Sequence, residues 1–241
     1  MLEKKDKVLL FGYGKYGEQI AKQLLYNNYE VYIAEYDKKN LKRASIDGFE
    51  HIMVVDIEND DELTDILLDN GFRKIFCAFD NEEENIYLTI TFKAIFKKID
   101  IIAICESKET ERKLKLAGAN KVIDTMEAAA NRIFFILEKQ AVTEAIDHIL
   151  FKDSSLAFKE IEIPQNSFLD GINIKDAKFK NRFDIIVIGI VDKELGNKFT
   201  FITKGVSHKL DAGDILVVIG KKESIDRFEK ELKNSSKNYT H

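Results

Sequence analysis

Lys7-Val8-Leu9-Leu10-Phe11-Gly12-Tyr13-Gly14-Lys15-Tyr16-Gly17 decides how this chain is read. Val8 to Phe11 form an apolar run of the kind buried on both faces of a parallel sheet, and three glycines follow at G-x-G-x-x-G spacing. A second apolar run, Val31-Tyr32-Ile33-Ala34, ends on the acid Glu35. Gly12 permits the tight turn off the strand, Gly14 lets a pyrophosphate approach the backbone, and Gly17 lets the next helix pack closely. That helix offers unpaired N–H groups and a positive dipole end to phosphate. Glu35 is placed to accept hydrogen bonds from ribose hydroxyls. The set predicts adenine-nucleotide binding, with a purely structural glycine turn as the alternative.

Working outward, apolar runs recur at 8–11, 31–34, 52–55, 75–79, 101–105 and 121–123. The segments between them, 15–27, 38–46, 60–70, 82–97 and 108–117, carry helical spacing. Strand–helix alternation predicts an α/β doubly wound, Rossmann-like parallel sheet with helices on both faces. Ligands bind such sheets beyond the carboxyl ends of the strands, at the switch point. Glu35, Asp56, Asp80 and Glu106 stand at those ends.

Composition narrows the function classes. The chain has 241 residues, a formal net charge of −5, 45% hydrophobic and 33% charged residues. That is ample for two lobes with their own cores. An acidic balance lacks the surplus of positive charge that neutralises phosphates, so no nucleic-acid partner is expected. No apolar run reaches the ~18 residues of a membrane span. The start, Met1 to Lys7, has no apolar signal core, so a cytoplasmic location is expected. Cys77 and Cys105 lie inside apolar strands and read as core residues, not as a metal or disulfide framework.

After residue 124 the pattern changes. A continuous helix is expected from Glu127 to Leu150, and its Ile133-Phe134-Phe135-Ile136-Leu137 covers more than one helical face. Contact with another subunit is the favoured reading of that run; burial against the chain's own second lobe is the other. Strands are expected at 157–163, 184–191, 198–203 and 214–220, a helix at 222–233 and a frayed tail from Asn234 to His241. The domains are then a nucleotide-binding lobe over 1–126, a crossover helix and linker over 127–155, and a small α+β lobe over 156–241.

Three further stretches carry a family likeness: Ala78-Phe79-Asp80-Asn81-Glu82-Glu83-Glu84-Asn85, Lys115-Leu116-Ala117-Gly118-Ala119-Asn120-Lys121-Val122-Ile123, and Leu210-Asp211-Ala212-Gly213-Asp214-Ile215-Leu216-Val217-Val218-Ile219-Gly220. With the glycine loop and Glu160-Ile161-Glu162-Ile163-Pro164, they make the chain resemble the RCK family, regulators of potassium conductance built from a TrkA-N lobe and a TrkA-C lobe. The resemblance implies a non-enzymatic gating subunit. It would sit at the inner face of the membrane, beside a potassium channel or transporter pore, as dimers assembling to an octameric ring. It implies NAD(H) or ATP/ADP as regulatory ligand. Gly12, Gly14 and Gly17 would cradle phosphate, Lys15 would pair with phosphate of this or the neighbouring subunit's ligand, and Tyr13 and Tyr16 would belong to the same nucleotide-binding loop. Glu35 would hold ribose, with Tyr36 beside it in the nucleotide site; Asp56 and Ile57 would sit beside adenine, and Ala78 and Phe79 would line the crevice. Lys15 reads equally as a solvated helix-start lysine, and Asp56 as a helix cap.

Ile104 stands where many nucleotide-binding relatives carry a basic residue, and the rim is acidic instead. Asp80 and Glu106 are therefore candidates for a divalent cation, as in calcium-gated relatives, although a solvated acidic face is the plainer reading of Glu82 to Glu84. An acid at the end of the second strand disfavours the 2′-phosphate of NADP. Other functions remain: a cyclic-dinucleotide sensor at Lys180, Asn181, Arg182 and Phe183, or an NAD-dependent enzyme. The enzyme reading lacks a histidine near the strand ends and a Tyr-x-x-x-Lys pair. The lack of a G-x-x-x-x-G-K-[ST] loop argues against a P-loop ATPase.

Overall fold

Alternating strands and helices build the first half of the chain: β1 (Lys7–Phe11), α1 (Lys15–Tyr26), β2 (Glu30–Glu35), α2 (Lys38–Ile46), β3 (His51–Val54), α3 (Asp60–Asn70), β4 (Lys74–Cys77), α4 (Glu82–Ile95), β5 (Asp100–Cys105), α5 (Lys108–Ala117) and β6 (Lys121–Asp124). The structure is a computed structural model and describes residues 6–152, 155–194, 196, 198–202 and 208–237. The sheet order is β3-β2-β1-β4-β5-β6 and every pairing is parallel. Chain order reverses between β1 and β4, so a crevice opens beyond Phe11, which pairs with Ala34 on one side and Cys77 on the other.

Both faces of the sheet are covered, as the unbroken apolar strands require. Leu9 and Phe11 pack on one face with Leu63, Leu88 and Phe92, the Phe11 and Phe92 rings 5.0 Å apart. Val8 and Leu10 face the other way with Tyr13, Ala21, Ile33 and Ala44. The helices begin where the sequence supplies a capping side chain. Asp37, Asn59, Asn81 and Ser107 each accept a backbone N–H of the first turn of α2, α3, α4 and α5. Each cap contributes about 1 kcal/mol. The first helix, α1, follows Gly14 and has no such cap.

The long helix expected over 127–150 is interrupted. Its first part, α6 (Thr125–Glu138), is followed by α7 (Gln140–Asp147) and a π-helical turn (His148–Lys152). Lys139, at φ −137 and ψ 48, breaks the run, and the Thr143 hydroxyl donates to the Phe135 carbonyl across the break. In α6 no residue is buried, and Ile133 to Leu137 are all exposed.

The chain divides into two compact units, Met1–Phe134 and Phe135–His241. In the second, β7 (Leu156–Glu162), β8 (Ile185–Asp192), β9 (Lys198–Phe201) and β10 (Ile215–Lys221) form an antiparallel sheet in the order β7-β10-β8-β9. A short helix, α8 (Phe179–Phe183), and the long α9 (Lys222–Lys237) complete the unit. Phe228 of α9 meets Phe179 and Phe183 of α8 in its core. The tail expected to fray from Asn234 instead continues α9 to Lys237, because Ser235 Oγ accepts the Phe168 N–H and donates to the Leu232 carbonyl. Residues 238–241, and position 203 of the expected third strand, lie outside the described residues.

Cys77 and Cys105 are free and buried, as expected of core residues. Burial pushes the Cys77 thiol up to about 12 and the Cys105 thiol up to about 11. An unfolded thiol titrates near about 8.5. The protonated thiols therefore contribute stability in full below that value, and the contribution fades as pH rises toward the folded values. Native protein is expected to resist a thiol reagent at pH 8 and to react at both cysteines once unfolded. Rapid labelling of either in the native state would show that its strand opens.

Candidate functional site

The glycine loop is built for close approach. Gly12, at φ +92, takes a backbone conformation that L side chains rarely adopt, and a Cβ there would lie 2.7 Å from the Phe79 nitrogen. A Cβ on Gly17 would run into the Gly12 carbonyl group, 2.8 Å from its carbon. On Gly14 it would fall on the Asp80 carboxylate, 2.6 Å from Oδ1. Loop, α1 and the end of β4 thus touch backbone to backbone, as the spacing predicts.

Glu35 lies beneath this loop and is 1% exposed. Its Oε2 accepts the Tyr13 N–H at 2.7 Å and the Asn40 amide at 3.1 Å. Its Oε1 accepts the N–H groups of Tyr36 and Asp37 at 2.8 and 2.9 Å. The carboxylate therefore ties the glycine loop to the start of α2 whatever else it binds. Arg43 reinforces the tie by donating to the Tyr13 carbonyl and to Asn40 Oδ1. Burial and the hydrogen bond to Asp47 hold the Tyr13 phenol well above its ordinary value.

Asp80 accepts the Lys15 N–H with both oxygens, at 2.9 and 3.1 Å. A residue distant in sequence thus supplies the side-chain cap that Gly14 cannot give α1. The Lys15 ammonium meets the Tyr16 hydroxyl at 2.9 Å and lies 3.7 Å from Glu106, to which Tyr16 donates at 2.7 Å. That hydrogen bond to Tyr16, with Glu106 behind it, raises the lysine above its usual range.

Beyond the strand ends lie two adjacent hollows. One, of about 240 Å³, is lined by Gly14, Glu35, Tyr36, Phe79, Asp80 and Glu84 among others. The other, of about 400 Å³, is bounded by Tyr36, Val55, Asp56, Ile57, Glu58 and Glu84. Tyr36 and Glu84 form their common wall, and together they match the roughly 300–1,000 Å³ of small-ligand sites. The Tyr36 ring lies 5.3 Å from that of Phe79. Its hydroxyl donates to Glu84 Oε1, and burial with that bond pushes the phenol up to about 12. Asp56 does not cap α3, a task taken by Asn59; its Oδ1 accepts the Glu58 N–H at 3.0 Å. Ala78 is wholly buried behind the crevice.

Most of the sequence-predicted residues therefore converge here. Gly14, Glu35, Tyr36, Asp56, Ile57 and Phe79 line the hollows, Gly12, Tyr13, Gly17 and Ala78 support them, and the side chains of Lys15 and Tyr16 turn to Glu106. Asn40 and Asn85 carry no role in the sequence reading, and Glu84, read there as part of a solvated acidic face, lines both hollows. Glu84 Oε2 is shut off from solvent without a hydrogen-bond partner among the described residues. Asn85, fully buried, bonds the N–H and carbonyl of Phe79 and so fixes the end of β4. Their helical positions gave no signal, since an acidic or polar first turn is ordinary.

Among the described residues, the acids that converge as metal ligands would are Glu111, Asp124 and Glu127, not Asp80 and Glu106. The Lys108 ammonium already pairs with all three. In the second unit, Arg182 bonds Glu231 at 2.8 Å and stacks on Phe168 and Phe183, while Phe183 is core.

As to an adenine nucleotide, the residues fit the nucleoside: aromatic rings, a hollow beside Asp56 and Ile57, and an orphaned carboxylate oxygen on Glu84 that seeks a donor. The backbone N–H that would meet phosphate at the start of α1 is held by Asp80.

Probable potassium channel protein 2 of Methanocaldococcus jannaschii is 23% identical over 97% of the chain and 68% of its own length. Ktr system potassium uptake protein C of Bacillus subtilis is 25% identical over 95% of the chain and 98% of its own length. The crystal structure of the GsuK RCK domain is similar at a TM-score of 0.47 and 19% identity, over 95% of the chain; the chain spans 47% of the length of that solved chain. Residues 8–125 match the TrkA-N domain and residues 158–233 the TrkA-C domain. With the two domains in that order over most of its length, the chain belongs to the RCK family.

Proposed function

We propose that this chain is a ligand-sensing regulatory domain of a potassium channel or potassium uptake system, and that an adenine nucleotide, NAD(H) or ATP/ADP, binds the crevice of its first unit. The observation that carries the reading is the three-glycine turn at the switch point of the sheet, with no room for a side chain at any of the three and an opening into a nucleoside-sized hollow. Family membership and the names of the potassium-transport relatives support the partner: a membrane pore. No helix among the described residues is long and apolar enough to cross a membrane, so the pore would be another segment or another chain.

The reading is binding, not turnover. The relatives named for potassium channels and potassium uptake support a regulatory role. The chain would work as a homo-oligomer, and the exposed apolar run Ile133 to Leu137 supports contact with a second copy. Ligand then acts by differential affinity for two packings of the oligomer. A tenfold preference per site supplies about 1.4 kcal/mol, and identical sites add.

Native mass spectrometry of the protein as purified reads both claims at once. An oligomer carrying, or taking up, ADP, ATP or NADH is expected. A monomer that neither retains nor binds any of the three at millimolar concentration would end this reading.

A further inference from the structure

We propose that Asp80 is the selectivity residue of the crevice: an internal anion seated where a ligand phosphate would sit, which the phosphate must displace. The inference rests on the crevice being a nucleotide site and goes on to say what limits its affinity.

Three observations lead to it. The carboxylate takes the Lys15 N–H with both oxygens and occupies the space left by the missing Gly14 side chain. That is the place where a phosphate would approach the backbone, and two anions cannot share one donor at the positive end of a helix. Secondly, the surrounding crevice is acidic. Glu35, Asp37, Asp80 and Glu84 line it, with no lysine or arginine among the lining residues, and the nearby Lys15 ammonium is engaged by Tyr16 and Glu106. A diphosphate entering past Asp80 would meet like charge and little to offset it. Thirdly, Asp80 is exposed and free to leave. The cap of α4 is Asn81, and Asn85 pins the backbone at Phe79. Rotation of the Asp80 side chain into solvent therefore releases the Lys15 N–H and leaves the cap of α4 in place.

Phosphate-bearing ligands thus bind only after paying for this displacement, whereas an unphosphorylated nucleoside does not. The test is calorimetric titration of the full chain with ADP, NADH and adenosine, comparing wild type with Asp80→Ala and Asp80→Asn. Asp80→Ala is expected to bind ADP and NADH about tenfold tighter or more, equivalent to about 1.4 kcal/mol. Adenosine affinity should stay within about twofold of wild type, a shift of under about 0.5 kcal/mol. Asp80→Asn, which keeps the shape and loses the charge, should fall between and serves if the alanine variant folds poorly. Equal ADP binding by wild type and both variants would overturn the proposal while leaving the crevice a nucleotide site. An equal gain for adenosine would overturn it too, by showing an effect on crevice shape and not on phosphate. If no variant binds any of the three ligands, the nucleotide reading and this inference fall together.

Discussion

Glu35→Ala is expected to lower the stability of the first unit by about 3–5 kcal/mol, which for a chain of this size moves its melting transition down by about 6–20 °C. The carboxylate is buried and accepts four hydrogen bonds, three from backbone N–H groups of Tyr13, Tyr36 and Asp37 and one from the Asn40 amide. Hydrogen bonds to a charged acceptor contribute about 1.5–3 kcal/mol each, and alanine leaves the donors facing a void that cannot satisfy them. The sequence alone suggests that this substitution would spare the fold and remove only a ribose contact; the structure changes that expectation. Glu35→Gln should retain part of the stability, since its oxygen still accepts, while its amide group faces donors. Loss of nucleotide binding in Glu35→Ala would not isolate a ribose role, because the glycine loop loses its anchor as well. A melting temperature within about 2 °C of wild type, less than about 1 kcal/mol at this size, would show that the loop does not depend on this carboxylate.

The second large effect is expected at Gly17. An added Cβ would meet the Gly12 carbonyl group, backbone against backbone. Gly12 cannot retreat: its N–H is bound to the Ala34 carbonyl at 2.9 Å, and its other side lies against the backbone of Ala78 and Phe79. Overpacking a tight site typically costs about 1–3 kcal/mol, and an unyielding backbone places Gly17→Ala at or above the upper end. Gly48→Ala is the control. Gly48 has φ +87 but open space around it, so only the left-handed backbone, about 1–2 kcal/mol, is at stake there. Denaturant midpoints of the two variants separate the effects. If Gly17→Ala is no worse than Gly48→Ala, close packing of α1 on the loop is not what Gly17 provides.

Much of the fold is legible in the residues because its signals are local. Apolar strands followed by helical spacing predict all six strands of the first sheet, and Asp37, Asn59, Asn81 and Ser107 mark helix starts by their own side chains. The break at Lys139 is not legible, since nothing in the apolar spacing of 127–150 announces it and the Thr143–Phe135 bond appears only once the chain is folded. Nor is α8, whose five residues are too few to show a period; the burial of Phe179 and Phe183 around Phe228 makes it. At the site, the glycines and Glu35 are found from spacing, but the four partners of Glu35 are not.

By itself the sequence determined the alternation of strands and helices, the glycine spacing of the turn and membership of the RCK family, because periodicity, spacing and the order of motifs are written along the chain. Only the tertiary structure decided which groups face the crevice. Placing β4 beside β1 brings Asp80 onto the Lys15 N–H, and the neighbouring end of β5 draws the Lys15 ammonium toward Glu106. Hydrogen bonds between residues so far apart in sequence follow from strand order and register, and local spacing carries neither.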